Sequence, residues 1–221
     1  MQNVFSICHR FPGKREKPMN KQNSTIMKLA ETALLAALCY VSFTFLQIKI
    51  PVPGGDATSL HIGNTFCVLG ALLLGGWYGG LAGSIGMTIA DLMDPVYITG
   101  APKTFVLKLC IGLITGLVAH KIAKINETND KKYVFKWSLI ASIAGLAFNV
   151  IADPIVGYFY KQYILGQPQE VASILAKLSA GATFVNAIVS TILVVIIYNA
   201  VRPALIKANL IHVYVTAANA K

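Results

Sequence analysis

The sequence predicts an all-α integral membrane protein, a bundle of six transmembrane helices with both termini on the cytoplasmic side. Three observations carry that expectation. Of 221 residues 55% are hydrophobic and only 13% charged, with mean hydropathy +0.62, against about 25% charged in soluble domains. The few charges are clustered, which leaves apolar runs that no soluble core requires. Backbone inside a bilayer must satisfy its own hydrogen bonds, so helices are the default, and period-2 alternation is not evident.

Six runs fit spans, at 26–48, 60–77, 79–94, 102–123, 136–160 and 172–201. The second and third are short and meet at the reversal "GGWYGG". The sixth is longer than a bilayer needs, so it tilts or projects. Residues 1–24 read as a disordered basic tail, 25–205 as the membrane domain and 206–221 as a cytoplasmic tail, with Met19 an alternative start. A cleaved signal peptide is disfavoured by the length of the first run and the lack of a small-x-small site after it.

Orientation follows from the basic residues. Arg10, Lys14, Arg15, Lys17, Lys21 and Lys28 open the first span, and Lys121, Lys124, Lys131, Lys132 and Lys136 join the fourth to the fifth. Arg202, Lys207 and Lys221 follow the sixth, so one side holds 14 of the 19 Lys and Arg. The positive-inside rule makes that side cytoplasmic, and Trp77 and Trp137 fall at the same interface. Position thus explains the +10 net charge without nucleic acid. The separated Cys8, Cys39, Cys67 and Cys110 suggest neither a disulfide framework nor a metal site.

An ionisable group inside a span needs a reason. His61 and Asn64 open the second span, Asp91 and Asp94 close the third, and Lys103, Thr104 and Lys108 begin the fourth. In the fifth, Asn149 and Asp153 are four apart and share a helix face. Ser179, Thr183, Asn186 and Ser190 form a stripe in the sixth. Nearly all lie in the outer half, which describes a polar cavity open outwards and closed below. The candidate ligand contacts are His61, Asn64, Asp91, Asp94, Tyr97, Lys103, Lys108, Asn149, Asp153 and Asn186. Each has a plainer reading. The asparagines can join helices, the aspartates can cap or end helix turns, and Lys103 can snorkel and pair with Asp94.

No HExxH, GxSxG or complete phosphate loop is present, so neither an enzyme nor a nucleotide hydrolase is indicated. Glycines every four residues (Gly75, Gly79, Gly83; Gly112, Gly116) suit close helix packing. In "LAETALLAALCYV", Ala33 and Ala37 share one face, which packs internally or receives another subunit.

The stretches "MKLAETALLAALCYV", "PVPGG", "LHIGNTFCVLGALLLGGWYGGLAGSIGMTIADL" and "APKTFVLKLCIGLITGLVAHKIAK" resemble the substrate-binding (S) components of energy-coupling factor (ECF) vitamin transporters. The resemblance implies a six-helix bundle in the cell membrane that binds one vitamin-like molecule from outside. Pro51, Pro53, Gly54 and Gly55 would shape a lid over the pocket. Ala33 and Ala37 would face a transmembrane coupling subunit joined to two ATPases. ATP would be used only by those partners, and this chain would need no cofactor. The S component is then expected to topple in the membrane to release its cargo. Where an acidic residue is expected after "HIG", this chain has Asn64. Pyridoxine-type vitamers or a hydroxymethylpyrimidine precursor fit best, with riboflavin next. A stand-alone secondary carrier or channel is the competing reading; it would need polar residues through the cytoplasmic half.

Overall fold

The computed structural model describes residues 21–52 and 56–208. Residues 1–20 and 209–221, expected as tails and including Met19, and the expected lid residues Pro53, Gly54 and Gly55 lie outside the described residues. Six α-helices and one hairpin follow in order: α1 (Lys21–Phe45), β1 (Gln47–Val52), β2 (Asp56–His61), α2 (Gly63–Leu74), α3 (Gly76–Met93), α4 (Ala101–Gly116), α5 (Lys131–Phe159) and α6 (Gln169–Lys207).

Sequence punctuation explains the breaks. Between α2 and α3 the chain reverses at Gly75, whose φ of 97° falls where a side chain would clash. Pro102 sits in the first turn of α4, where its missing N–H costs nothing. The side chain of Asp130 caps α5 by accepting from the Lys132 N–H at 2.9 Å. Both α4 and α5 end in a π-helical turn, Leu117–Ile122 and Tyr160–Ile164.

Three segments differ from the expected spans. The first outer connection is an antiparallel hairpin with Gln47 opposite His61 and Val52 opposite Asp56, not an irregular loop. Helix α1 already includes residues 21–24 of the expected tail, and α6 continues to Lys207. Apolar composition marks where lipid stops, and a helix ends only where its capping chemistry does.

Four segments are long and apolar enough to cross a membrane: Thr25–Phe45, Ile98–Glu127, Lys131–Ile164 and Gln169–Lys207. Helix α2 is a shorter apolar helix, and most of it is buried among its neighbours. The long helices turn large apolar side chains outward, among them Leu34, Phe105, Ile151, Ile192 and Ile196. Buried positions instead include Thr115, Ser138, Ser142, Asn149 and Ser190. Apolar outside and partly polar inside is the reverse of a soluble bundle, and it suits lipid.

Glycines bring backbones into direct contact. A Cβ on Gly112 would fall on the backbone of Gly80, and one on Gly79 on the backbone of Ala71. A Cβ on Gly86 would strike the Ala36 carbonyl. At these points α1, α2 and α4 each meet α3 with no side chain between, and α5 packs along α6 and α4. The core runs through Cys39, Val68, Leu72, Met87, Ile111, Leu146, Val194 and Tyr198.

Candidate functional site

A cavity of about 130 Å³ lies at the hairpin end of the bundle. Its walls come from the end of α1, the hairpin, the end of α3 with the turn after it, the start of α4, the end of α5 and the start of α6. The helix ends place charged groups there. On α4, Thr104 and Lys108 are one turn apart and face inward; on α5, Asp153 and Gly157 do the same.

Lys103 donates to Asp153 Oδ1 at 2.9 Å, and the Ser179 hydroxyl donates to Asp153 Oδ2. Gly157 leaves room for that lysine, since a Cβ there would stand 3.4 Å from Nζ. The expected pairing of Lys103 with Asp94 is therefore not what forms. Lys103 begins α4 on the face toward α5, and Asp94 is taken by Lys49 from the hairpin.

Lys108 and Asp91 also line the cavity, and they are 7% and 3% exposed. The ion pairs among the described residues are Lys49–Asp94, Lys103–Asp153 and Lys124–Glu127, so neither Lys108 nor Asp91 is in salt-bridge contact. No hydrogen-bond acceptor for the Lys108 ammonium occurs among the described residues.

The hairpin closes one side and is tied down in two places. Asn186 of α6 accepts from the His61 N–H at 3.0 Å and donates to the Ser59 carbonyl at 3.0 Å. At the rim, Lys49 pairs with Asp94 and lies 5.4 Å from the centre of the Tyr97 ring. Burial acts against the charged form of Asp94. The Lys49 ammonium and the Val96 N–H, at 3.1 Å, outweigh it and hold that carboxyl below the usual carboxylate range. Inside, Phe43 packs edge-on to His61 with centroids 4.7 Å apart, and 5.8 Å from Tyr97.

Of the ten expected contacts, His61, Asp91, Tyr97, Lys103, Lys108, Asp153 and Asn186 share this cavity wall. Asp94 stands at the rim, holding the hairpin. Asn64 and Asn149 are each 1% exposed and do not line the cavity; their Oδ1 atoms have no hydrogen-bond partner among the described residues. Tyr158 lies on a separate outward groove.

Sequence reasoning missed Phe43, Ser59, Thr99, Tyr160 and Lys161 on the wall. Tyr160 and Lys161 were findable, because they follow Asp153 by seven and eight residues on one helical face. Ala33 and Ala37 lie on the exposed face of α1 beside Leu34 and Leu38.

A family model described as "ECF-type riboflavin transporter, S component" matches residues 23–203. The fold is similar to a solved structure of ThiT from Listeria monocytogenes, with TM-score 0.62 and 20% identity, covering 83% of this chain and 98% of that one. At that identity the likeness concerns the fold alone. No match to a curated protein is found.

Proposed function

Because the chain belongs to the ECF-type riboflavin transporter S-component family, we propose that it captures a small vitamin or vitamin precursor at the outer face of the cell membrane and delivers it inwards through a transmembrane coupling subunit and two ATPases. The cavity at one end of the bundle, with buried Lys108 and Asp91 on its wall, is the observation that carries the reading. A soluble-type core has no reason to keep such charges, whereas a polar ligand gives them one.

In this reading the six helices all span the membrane, α2 and α3 as a short pair joined at Gly75. Both termini lie inside, as the clustered lysines and arginines require. His61, Asp91, Tyr97, Lys103, Lys108 and Asp153 contact the ligand, and Asn186 and Asp94 hold the hairpin over it. Asn64 and Asn149 form a polar floor behind the wall. Ala33 and Ala37 offer the coupling subunit a flat apolar surface on α1. This chain performs no bond-making chemistry; ATP is consumed by the partners. A pyridoxine-type vitamer or hydroxymethylpyrimidine suits the small cavity better than riboflavin.

The test is the thermal stability of the detergent-purified chain against B vitamins and their precursors. A ligand at about 1,000 times its dissociation constant adds roughly 4 kcal/mol, a shift easily seen. One hit, with copurification of two ATPases when the coupling module is coexpressed, is the expected result. Silence across the panel, with prebound ligand excluded by mass spectrometry, would overturn the reading.

A further inference from the structure

We infer that the ligand is a zwitterionic heterocycle of the hydroxypyridine kind, with an anionic oxygen against Lys108 and a protonated ring nitrogen against Asp91. This rests on the transport reading above and narrows its substrate class.

The argument starts from which charges are already neutralised. Lys103 and Asp153 satisfy each other at 2.9 Å, and Ser179 completes the aspartate. Lys161 on the wall is half-buried and has contacts of its own, which leaves Lys108 and Asp91 as the deeply buried charges outside an ion pair. Both are more than nine-tenths buried and both line the same cavity. Neither is in an ion pair, and the Lys108 ammonium has no acceptor among the described residues. A buried charge without a partner is costly in a low-dielectric surrounding.

A ligand bearing one charge repairs only one of these deficits. Asp91 accepts a hydrogen bond from the Thr104 hydroxyl but has no counter-charge in contact. A simple anion would therefore serve Lys108 and leave Asp91 without a cation, and a simple cation would do the reverse. A neutral ligand would desolvate both charges further and neutralise neither. A molecule carrying both signs satisfies both residues and adds no net charge to the membrane interior.

Ring character follows from the remaining wall. Phe43, His61 and Tyr97 form a contiguous aromatic group, with centroids 4.7 and 5.8 Å from Phe43, which offers ring edges and faces to a flat partner. The cavity, about 130 Å³, favours one ring over three fused ones. Hydroxypyridines meet both conditions. At neutral pH the phenolic proton moves to the ring nitrogen, which yields an anionic oxygen and a cationic N–H in one small ring. Riboflavin and hydroxymethylpyrimidine are neutral under the same conditions.

The test uses the full chain in detergent and isothermal calorimetry with pyridoxine, 3-deoxypyridoxine, hydroxymethylpyrimidine and riboflavin. Pyridoxine is expected to bind tightest. Loss of the ring oxygen in 3-deoxypyridoxine is expected to weaken binding about 10- to 100-fold, the range for a hydrogen bond to a charged group. Lys108→Met should weaken pyridoxine to a similar degree and abolish the difference between the two probes. Its ligand-free melting temperature, expected at or above that of the parent, shows that it folds, and the 3-deoxy probe needs no variant at all. Tighter binding of riboflavin or hydroxymethylpyrimidine, or pyridoxine binding indifferent to Lys108→Met, would overturn the zwitterion and leave the transport reading intact. If none of the four probes binds, the zwitterion fails; if the wider vitamin panel is silent too, the transport reading falls with it.

Discussion

Asn186 in α6 grips His61 at the end of β2: its Oδ1 accepts the His61 N–H at 3.0 Å, while its amide donates to Ser59 in the same strand at 3.0 Å. One side chain thus satisfies two backbone groups of the hairpin, 125 and 127 residues away. Replacing it by Ala leaves both unpaired, at about 1–3 kcal/mol each when buried. Asn186→Ala should therefore speed ligand release and accelerate amide exchange at His61. Unchanged exchange at that amide would mean that the hairpin is held by other contacts.

The Lys103–Asp153 pair is partly buried, with side chains 16% and 13% exposed. Removing one partner strands the other, so Lys103→Met or Asp153→Leu alone should lower stability by about 3 kcal/mol. The double variant should recover much of that loss, since no charge is left stranded. Detergent melting curves for the three variants check this; a double variant as unstable as the summed singles would contradict it.

The rim latch is acid-sensitive. Asp94 has a depressed carboxyl when paired with Lys49, so the closed hairpin favours its ionised form. The latch is complete above the ordinary Asp value of about 3.9 and is lost as pH falls through the lower value of the paired state. Hairpin exchange should rise over that acidic window and stay flat between pH 6 and about 8, well above the Asp range. Asp94→Asn should open the rim at all pH values and remove the acid step.

Glycine substitutions should separate the packed seam from the open turns. Gly112→Ala places its Cβ on Gly80, and overpacking of this kind costs about 1–3 kcal/mol. At Gly100, where a Cβ meets nothing within 4 Å, the same substitution should be nearly silent. Equal melting temperatures for the two variants would show that the seam yields easily.

Much of the architecture was legible because membranes make composition informative. The three long segments ending the chain stand out by length and apolarity, and the "GGWYGG" reversal coincides with the turn at Gly75. The hairpin was not legible. Each strand has six residues, and Pro51 breaks the strand signal of β1; pairing across residues 53–55 depends on register rather than composition. Among site residues, Asp91, Lys108 and Asp153 were readable because charge within an apolar run demands a reason. Thr99, Ser59 and Phe43 carry no such penalty near the aqueous end, so only the fold reveals them on the wall. Asn64 and Asn149 show the limit of that logic. Polarity marked them as interior, but not on which side of the wall they stand.

The glycine seam has a mechanical corollary. Where the helices meet backbone to backbone at Gly79, Gly86 and Gly112, no side chain stands between them that could re-sort into an alternative packing. Those contacts tie α1, α2 and α4 to α3 as one block. On the proposed transport reading, filling the cavity is expected to move that block as a whole against the α5–α6 pair, which carries Asp153, Ser179 and Asn186.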